Sequence, residues 1–284
     1  MTRYVVAGTD GSDASLAALH WAAGEAVARG YALRVVMVVP RHGAVFGSAP
    51  EADVGQPSAV RLMEKAVAEV AHLHPRLDVV GRELTGVPEE VLNDVGSGAE
   101  LVVVAARGCG GFAGLRLGSV ALGVAAGSHC AVALVPVGWA HDSGVREVVV
   151  GVDGHHPDPQ ALDLAFDAAR RREARLRAVS GWRLPAPFDE RPLMPVEEDR
   201  AECEDQELQV LEDALRGGKK KYPAVDVLPD LRLLAPADAL VRASGGAGLL
   251  VVGRGEARTG RRFGGVPHAV AHHTRCPLLL APRR

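Results

Sequence analysis

One stretch of the chain, Ala105 to Ser119, has the residue types of an anion-binding loop: "AARGCGGFAGLRLGS". It holds five glycines and two arginines, and it follows the apolar run "LVVV". Glycine lets the backbone come close to an anion, and a Gly-Ser pair that opens a helix directs free N–H groups and the positive end of the helix dipole toward a phosphate. The stretch therefore indicates a phosphate-binding loop.

Two common phosphate loops are excluded by their own requirements. A P-loop needs a Gly-Lys-[Ser/Thr] sequence directly after a strand, and the stretch contains no lysine. A dinucleotide fingerprint matches "GCGGFA" literally, but this segment follows a fourth strand and no acidic residue lies at the required distance. The spacing G-x2-G-x9-G-[Ser/Thr] remains, with Gly108, Gly118 and Ser119 in place and Ala105 at its first glycine position.

The elements around this loop alternate between strand and helix patterns, which predicts an α/β fold with a parallel sheet. In the first half we predict strands near 3–9, 33–39, 77–84, 101–105 and 131–136, and helices near 13–29, 58–74, 88–97 and 118–128. In the second half we predict strands near 146–152, 175–181, 226–234, 248–253 and 277–281, and helices near 159–172, 197–216, 237–245 and 264–273.

The two halves are copies of one unit. "YVVAGTDGSDAS" near the start is similar to "EVVVGVDGHHPD" near residue 147, and Asp10 corresponds to Asp153. We predict two tandem domains, residues 1–140 and 145–284, each a doubly wound parallel five-stranded sheet of order 3-2-1-4-5 flanked by helices. In that order the first and fourth strands are neighbours, so a ligand is expected at their carboxyl ends.

Composition narrows the class of protein. A net charge of −3 argues against nucleic-acid binding, and no apolar run is long enough to cross a membrane. The four cysteines lie far apart without a CxxC pair, which indicates neither a zinc cage nor a disulfide framework, and we predict a cytoplasmic protein. Adjacent histidines occur at 155–156 and 272–273, but neighbouring helical residues face different ways, so no metal site is predicted.

The tandem units, the Asp-Gly-Ser after the first strand, the "RGCGGFAGLRLGSV" loop and the closing "HCAVALVP" resemble the universal stress protein family over nearly the whole chain. The resemblance implies an ATP site in the first half, with Asp10 at the adenosine and Val38 beside the adenine. Gly108, Gly118, Ser119 and Val120 would then line the phosphates and ribose. Arg107 lies within the motif and could add its charge, and Ala105 takes the first glycine position of the same cofactor-binding motif. Ala105 departs from the motif and costs little only if its φ is negative.

The second half departs further from the motif. Asp153 is retained, but Gly253 and Gly255 are separated by one residue, eight residues precede Gly264, and Gly265 replaces the serine. Four arginines, at 254, 258, 261 and 262, add charge that could pair with phosphate. We favour a decayed site here.

The resemblance implies an ATP-binding sensor or regulator of the stress response, with Mg²⁺ only as a companion of the phosphates. No catalytic residue is predicted, since no base or metal-carboxylate set accompanies the loop. A non-nucleotide interaction protein of the same fold, or a slow ATP hydrolase, remains an alternative. The resemblance also implies a homo-oligomer through the terminal edge strands, "AVALVPV" and "PLLLAP".

Overall fold

The computed structural model describes residues 3–39, 59–108, 116–139, 147–184, 197–255 and 264–282. The chain divides into two compact units, of which the first contains Met1–Asp142 with Pro282–Arg284 and the second contains Ser143–Ala281. Each unit is a parallel sheet covered by α-helices.

The first unit has strands β1 (Tyr4–Thr9), β2 (Ala32–Val39), β3 (Val79–Thr85), β4 (Leu101–Ala105) and β5 (Ala131–Val135). Its helices are α1 (Asp13–Arg29), α2 (Ala59–Leu73), α3 (Pro88–Gly96) and α4 (Ser119–Gly127). The strands pair in parallel in the order β3-β2-β1-β4-β5, which confirms the predicted α/β class and strand order.

The second unit has strands β6 (Val148–Gly151), β7 (Leu176–Gly181), β8 (Val227–Arg232), β9 (Leu249–Val252) and β10 (Leu278–Leu280). Its helices are α5 (Pro159–Arg172), α6 (Glu197–Lys221), α7 (Pro236–Ser244) and α8 (Gly265–His273). The order β8-β7-β6-β9-β10, again all parallel, repeats that of the first unit.

The central strands are apolar because both of their faces are covered. All five residues of β4 and all five of β5 are buried, as expected for parallel strands between two helical layers. Ser12 begins α1 by accepting a hydrogen bond from the N–H of Ser15, and Gly30 ends it in the left-handed conformation. These boundaries place the loop after β1 at the carboxyl edge of the sheet.

One helix is longer than the sequence pattern predicts. The sequence predicts an end near residue 216, yet α6 continues to Lys221. A Cβ at Gly218 would overlap the ring of Phe166, which stacks on Tyr222 with centroids 5.7 Å apart. The absence of a side chain at Gly218 therefore lets α6 pack closely against α5. Lys221, the last residue of α6, forms an ion pair with Asp163 of α5.

Candidate functional site

The loop after β1 presents a carboxylate in a fixed orientation. Asp10 is exposed, and its Oδ1 accepts hydrogen bonds from the Ser12 backbone N–H at 3.0 Å and the Ser12 hydroxyl at 2.5 Å. Gly11 has a φ of 80°, a left-handed conformation that favours glycine. The Asp-Gly-Ser sequence is thus a local turn that holds one carboxylate oxygen and leads directly into α1.

Two buried hydroxyls beneath this turn were missed by the sequence analysis. Thr9 and Ser15 share a hydrogen bond between their side-chain oxygens at 3.0 Å, and both are buried. The Asp10 N–H donates to Ser15 Oγ at 3.3 Å, and the Gly11 N–H donates to Thr9 Oγ1 at 3.2 Å. The signal was present as hydroxyl residues on either side of "DGSDA", and their effect is to order the backbone that carries the carboxylate.

The glycine-rich loop after β4 meets the same carboxylate. A Cβ added at Gly108 would overlap Asp10 Oδ2 and lie 3.3 Å from Asp10 Cγ. The φ of Gly108 is not positive, so the absence of a side chain, and not an unusual backbone conformation, permits this close approach of Asp10. The structure therefore brings together the two loops that the sequence placed at the switch point of the sheet.

The helix that follows this loop begins at the predicted Gly-Ser pair. Gly118 is the N-cap of α4, with φ −81° and ψ 160°, and its N–H donates to the Ala106 carbonyl at 2.8 Å. Because glycine has no side-chain oxygen, the cap residue itself leaves the first-turn N–H groups of α4 available to another acceptor. Ser119, the first helical residue, is exposed, and Val120 is half-buried.

Ala105, the departure from the glycine motif, is accommodated without strain. It is the last residue of β4, pairs with Val135 in the sheet and is buried. Among the described non-glycine residues only Glu173 has a positive φ, so Ala105 lies in the region that any residue adopts. The alanine does not distort the loop backbone.

The remaining residues predicted for the first site lie at the same edge of the sheet. Thr9 pairs with Met37 across β1 and β2, so Val38 is level with Asp10 at the carboxyl ends of these strands. Val38 and Arg107 are both half-buried. All eight positions therefore cluster at the carboxyl ends of β1, β2 and β4 and at the start of α4.

In the second unit the corresponding loop keeps its closing hydrogen bond but is two residues shorter. The Gly264 N–H donates to the Arg254 carbonyl at 2.8 Å, which matches the bond from Gly118 to Ala106. Arg254 thus occupies the position of Ala106, and Gly255, with φ 61°, occupies that of Arg107 rather than Gly108. The counterpart of Gly108 is residue 256, which lies outside the described residues.

Of the four arginines, only Arg254 lies among the described residues, and it is buried. Its side chain is 5% exposed, and its Nε donates to the Ala281 carbonyl at 2.6 Å. This arginine is committed to the end of β10 and does not present its charge at the surface of the loop. Those at 258, 261 and 262 lie outside the described residues.

The other positions predicted for a site in the second unit offer fewer ligand-binding groups than the corresponding positions of the first unit. Asp153 is exposed, and its Oδ1 accepts from the N–H groups of His155 at 3.1 Å and His156 at 3.2 Å. A Cβ at Gly253 would stand 2.6 Å from an Asp158 carboxylate oxygen. Gly265 opens α8 where the first unit has a serine, so this helix lacks the hydroxyl.

Metal-binding clusters and membrane-spanning helices are both absent from the part of the chain that the structure describes. No group of three or more His, Cys, Asp or Glu side chains there could hold a metal ion between them. None of the helices in these ranges combines the length and the apolar character that crossing a bilayer requires.

Comparison with known proteins decides the family. The model of the universal stress protein family matches this chain twice, over residues 1–136 and 144–282. The chain belongs to the universal stress protein family. Both units carry the family domain, in agreement with the resemblance seen in the sequence.

Relatives within the universal stress protein family are similar to this chain over almost its full length. The universal stress protein MT2052 of Mycobacterium tuberculosis is 30% identical, over 98% of this chain and 94% of its own. The universal stress protein Mb2028c of Mycobacterium bovis is 32% identical, over 98% and 96%.

Solved structures show the same fold at low sequence identity. A universal stress protein from Archaeoglobus fulgidus has a TM-score of 0.64 and 16% identity, covering 99% of this chain and 96% of its own. One from Pseudomonas aeruginosa has a TM-score of 0.65 and 14% identity, covering 99% and 93%. This likeness concerns the fold alone.

Proposed function

We propose that the first unit binds ATP at the carboxyl ends of β1, β2 and β4, and that the protein acts as a nucleotide-dependent sensor or regulator of the stress response. The observation that carries the proposal is the close approach of Gly108 to the Asp10 carboxylate. This approach brings the hydrogen-bonded Asp10 carboxylate of the loop after β1 next to the glycine-rich loop that leads from β4 into α4.

The charges of the two loops assign opposite ends of the ligand. A carboxylate repels phosphate but accepts hydrogen bonds from hydroxyl and amino groups, so Asp10 suits the adenosine part of a nucleotide. The start of α4 offers N–H groups, the positive end of the helix dipole and the exposed Ser119 hydroxyl, which suit phosphate oxygens. Val38 supplies apolar surface level with Asp10 for a base.

The second unit is a weaker candidate for the same ligand. Its loop is shorter, its helix-opening residue is Gly265, and the described arginine is buried against Ala281. We therefore propose one ATP per chain, bound by the first unit. Mg²⁺ would arrive with the phosphates of ATP. Association of chains through terminal edge strands remains a prediction.

A regulatory role fits the site better than catalysis. Among the described residues, the groups that meet at this edge of the sheet can bind and orient a nucleotide, whereas a hydrolase would also need a base or a metal ligand set beside the phosphate.

Isothermal titration of the full chain with ATP tests the proposal. We expect saturable binding at one site and weaker binding of adenosine, which carries no phosphate for the N–H groups of α4. No binding at millimolar ATP would contradict the proposal. An ATP affinity unchanged between wild type and a Gly118→Ser variant would place the ligand elsewhere.

A further inference from the structure

Helix α8 carries two histidines on one face. His268 and His272 are four residues apart, a spacing that places side chains one above the other along a helix. Their ring centroids are 4.9 Å apart, and the ring planes are inclined by 66°. Both side chains are half-buried, so packing restricts the directions in which the rings point.

This arrangement is suited to a metal ion. Two imidazoles at positions i and i+4 can each donate one ring nitrogen to a single ion, as in helical His-x3-His zinc sites. Imidazole nitrogen is a preferred ligand of zinc, copper and nickel. We propose that His268 and His272 form a two-histidine chelate for a divalent transition metal ion, with water in the remaining coordination positions.

The location on the helix adds to the attraction for a cation. His272 lies in the last turn of α8, where unpaired carbonyl groups and the negative end of the helix dipole favour positive charge. The open coordination positions also set the character of the site. The two imidazoles supply two protein ligands, whereas a closed structural zinc site has four, so the ion would exchange more readily here than in such a site.

Other histidine pairs in the described ranges lack this geometry. His272 and His273 are neighbours in sequence, and their centroids are 6.4 Å apart with the rings tilted. His155 contacts the Glu207 carboxylate at 3.2 Å, while His156 lies 3.7 Å from Asp153. His273 and His156 therefore provide matched controls, because each is a histidine without an i,i+4 histidine partner in the proposed site.

Metal binding would stabilise helix α8 of the second unit. A chelate that spans consecutive turns requires the helical conformation, so the ion binds the folded chain in preference to the unfolded one and raises its stability by mass action. The N-cap of this helix is Gly264, whose N–H donates to the Arg254 carbonyl and closes the loop. The second unit, whose sequence differs from the nucleotide-binding motif, would thus bind a metal ion as a separate ligand.

Titration of the purified full chain with NiCl₂ by calorimetry, after removal of metal by a chelator, tests the proposal. We expect saturable binding in the wild type that falls by about tenfold or more in His268→Gln and in His272→Gln, because each loses one of two imidazole ligands. His273→Gln and His156→Gln should keep the wild-type affinity. Circular dichroism checks that each variant is folded.

A second readout identifies the ligands directly. The electron paramagnetic resonance spectrum of bound Cu²⁺ should show nitrogen coupling from imidazole, and this coupling should diminish in either His268→Gln or His272→Gln. The proposal is overturned if the wild type shows no saturable Ni²⁺ site. It is also overturned if folded His268→Gln and His272→Gln proteins both bind Ni²⁺ as tightly as the wild type.

Discussion

Gly108 lies so close to Asp10 that a Cβ at the glycine would overlap one carboxylate oxygen and stand 3.3 Å from Asp10 Cγ. The contact joins the loop after β1 to the loop after β4, two segments about a hundred positions apart in sequence. The φ of Gly108 does not lie in the left-handed region, so a side chain at this position would be opposed by the Asp10 carboxylate and not by backbone strain.

Gly108→Ala should weaken ATP binding while leaving the fold intact. The new methyl group must displace the exposed Asp10 carboxylate from its hydrogen bonds with Ser12, and each such bond contributes about 0.5–1.5 kcal/mol. We expect ATP affinity to fall about tenfold, the equivalent of about 1.4 kcal/mol. Calorimetry measures the affinity, and thermal unfolding measures the stability. Unchanged affinity would show that Asp10 does not contact the ligand.

Gly118→Ser should move stability and binding in opposite directions. A Cβ at Gly118 meets only ordinary contacts, the nearest at 3.6 Å from the Ala106 carbonyl oxygen. The serine hydroxyl can accept from the first-turn N–H groups of α4, which stabilises the helix by a few tenths of a kcal/mol relative to glycine. The same N–H groups are then lost to phosphate, so ATP affinity should fall.

The control for this variant is Gly264→Ser, the N-cap of α8 in the second unit. Its Cβ would be tighter, 3.0 Å from the Arg254 carbonyl oxygen, so we expect some loss of stability and no change in ATP affinity. If Gly264→Ser weakened ATP binding and Gly118→Ser did not, the nucleotide would belong to the second unit.

Glu25→Ala should be strongly destabilising. Glu25 and Arg29 form an ion pair one turn apart on α1, and their side chains are only 5% and 7% exposed. Removing the carboxylate leaves a buried guanidinium without this counter-charge, which typically costs about 3–5 kcal/mol. Urea unfolding measures the loss. The double variant Glu25→Leu/Arg29→Met should be more stable than Glu25→Ala; if it is less stable, the uncompensated charge is not the cause.

Cys276 should resist thiol reagents in the native protein. Burial raises the pKa of its thiol to about 12, and the residue has no exposed surface. The thiolate is the reactive form, so at pH 8 the folded chain holds Cys276 in its unreactive, protonated state. Iodoacetamide labelling followed by peptide mass spectrometry should modify it only after unfolding. Native modification of Cys276 as fast as that of the half-buried Cys203 would contradict the packing of β10.

The sequence predicted the architecture because parallel strands and amphipathic helices leave local signals. The all-buried runs of β4 and β5 and the caps of α1 could be read from residue types alone. The end of α6 could not, since the close contact between Gly218 and the Phe166 ring, which leaves no room for a side chain, comes from the packing of two helices. That contact depends on tertiary structure.

The candidate site shows the same division. The motif spacing alone predicted that Gly108, Gly118 and Ser119 belong to one loop. The φ of Ala105 could not be predicted from the sequence, and the structure shows that it is not positive. Spacing also left open the role of Arg254. Its burial against the end of β10 depends on a strand distant in sequence and removes one of the four candidate phosphate ligands.

The histidines of α8 illustrate a signal that was present but overlooked. The sequence analysis considered only the adjacent pair at 272–273. In "HAVAHH", however, His268 precedes His272 by four residues. The relevant spacing on a helix is i,i+4, and the ring contact follows from it directly.

The most direct test of the account is the stoichiometry of ATP binding by calorimetry in paired variants of the two units. We predict one ATP per chain in the wild type, lost or strongly weakened in Asp10→Ala and kept in Asp153→Ala. The account is contradicted if the wild type binds no ATP at millimolar concentration, or if Asp153→Ala abolishes a binding event that Asp10→Ala leaves unchanged.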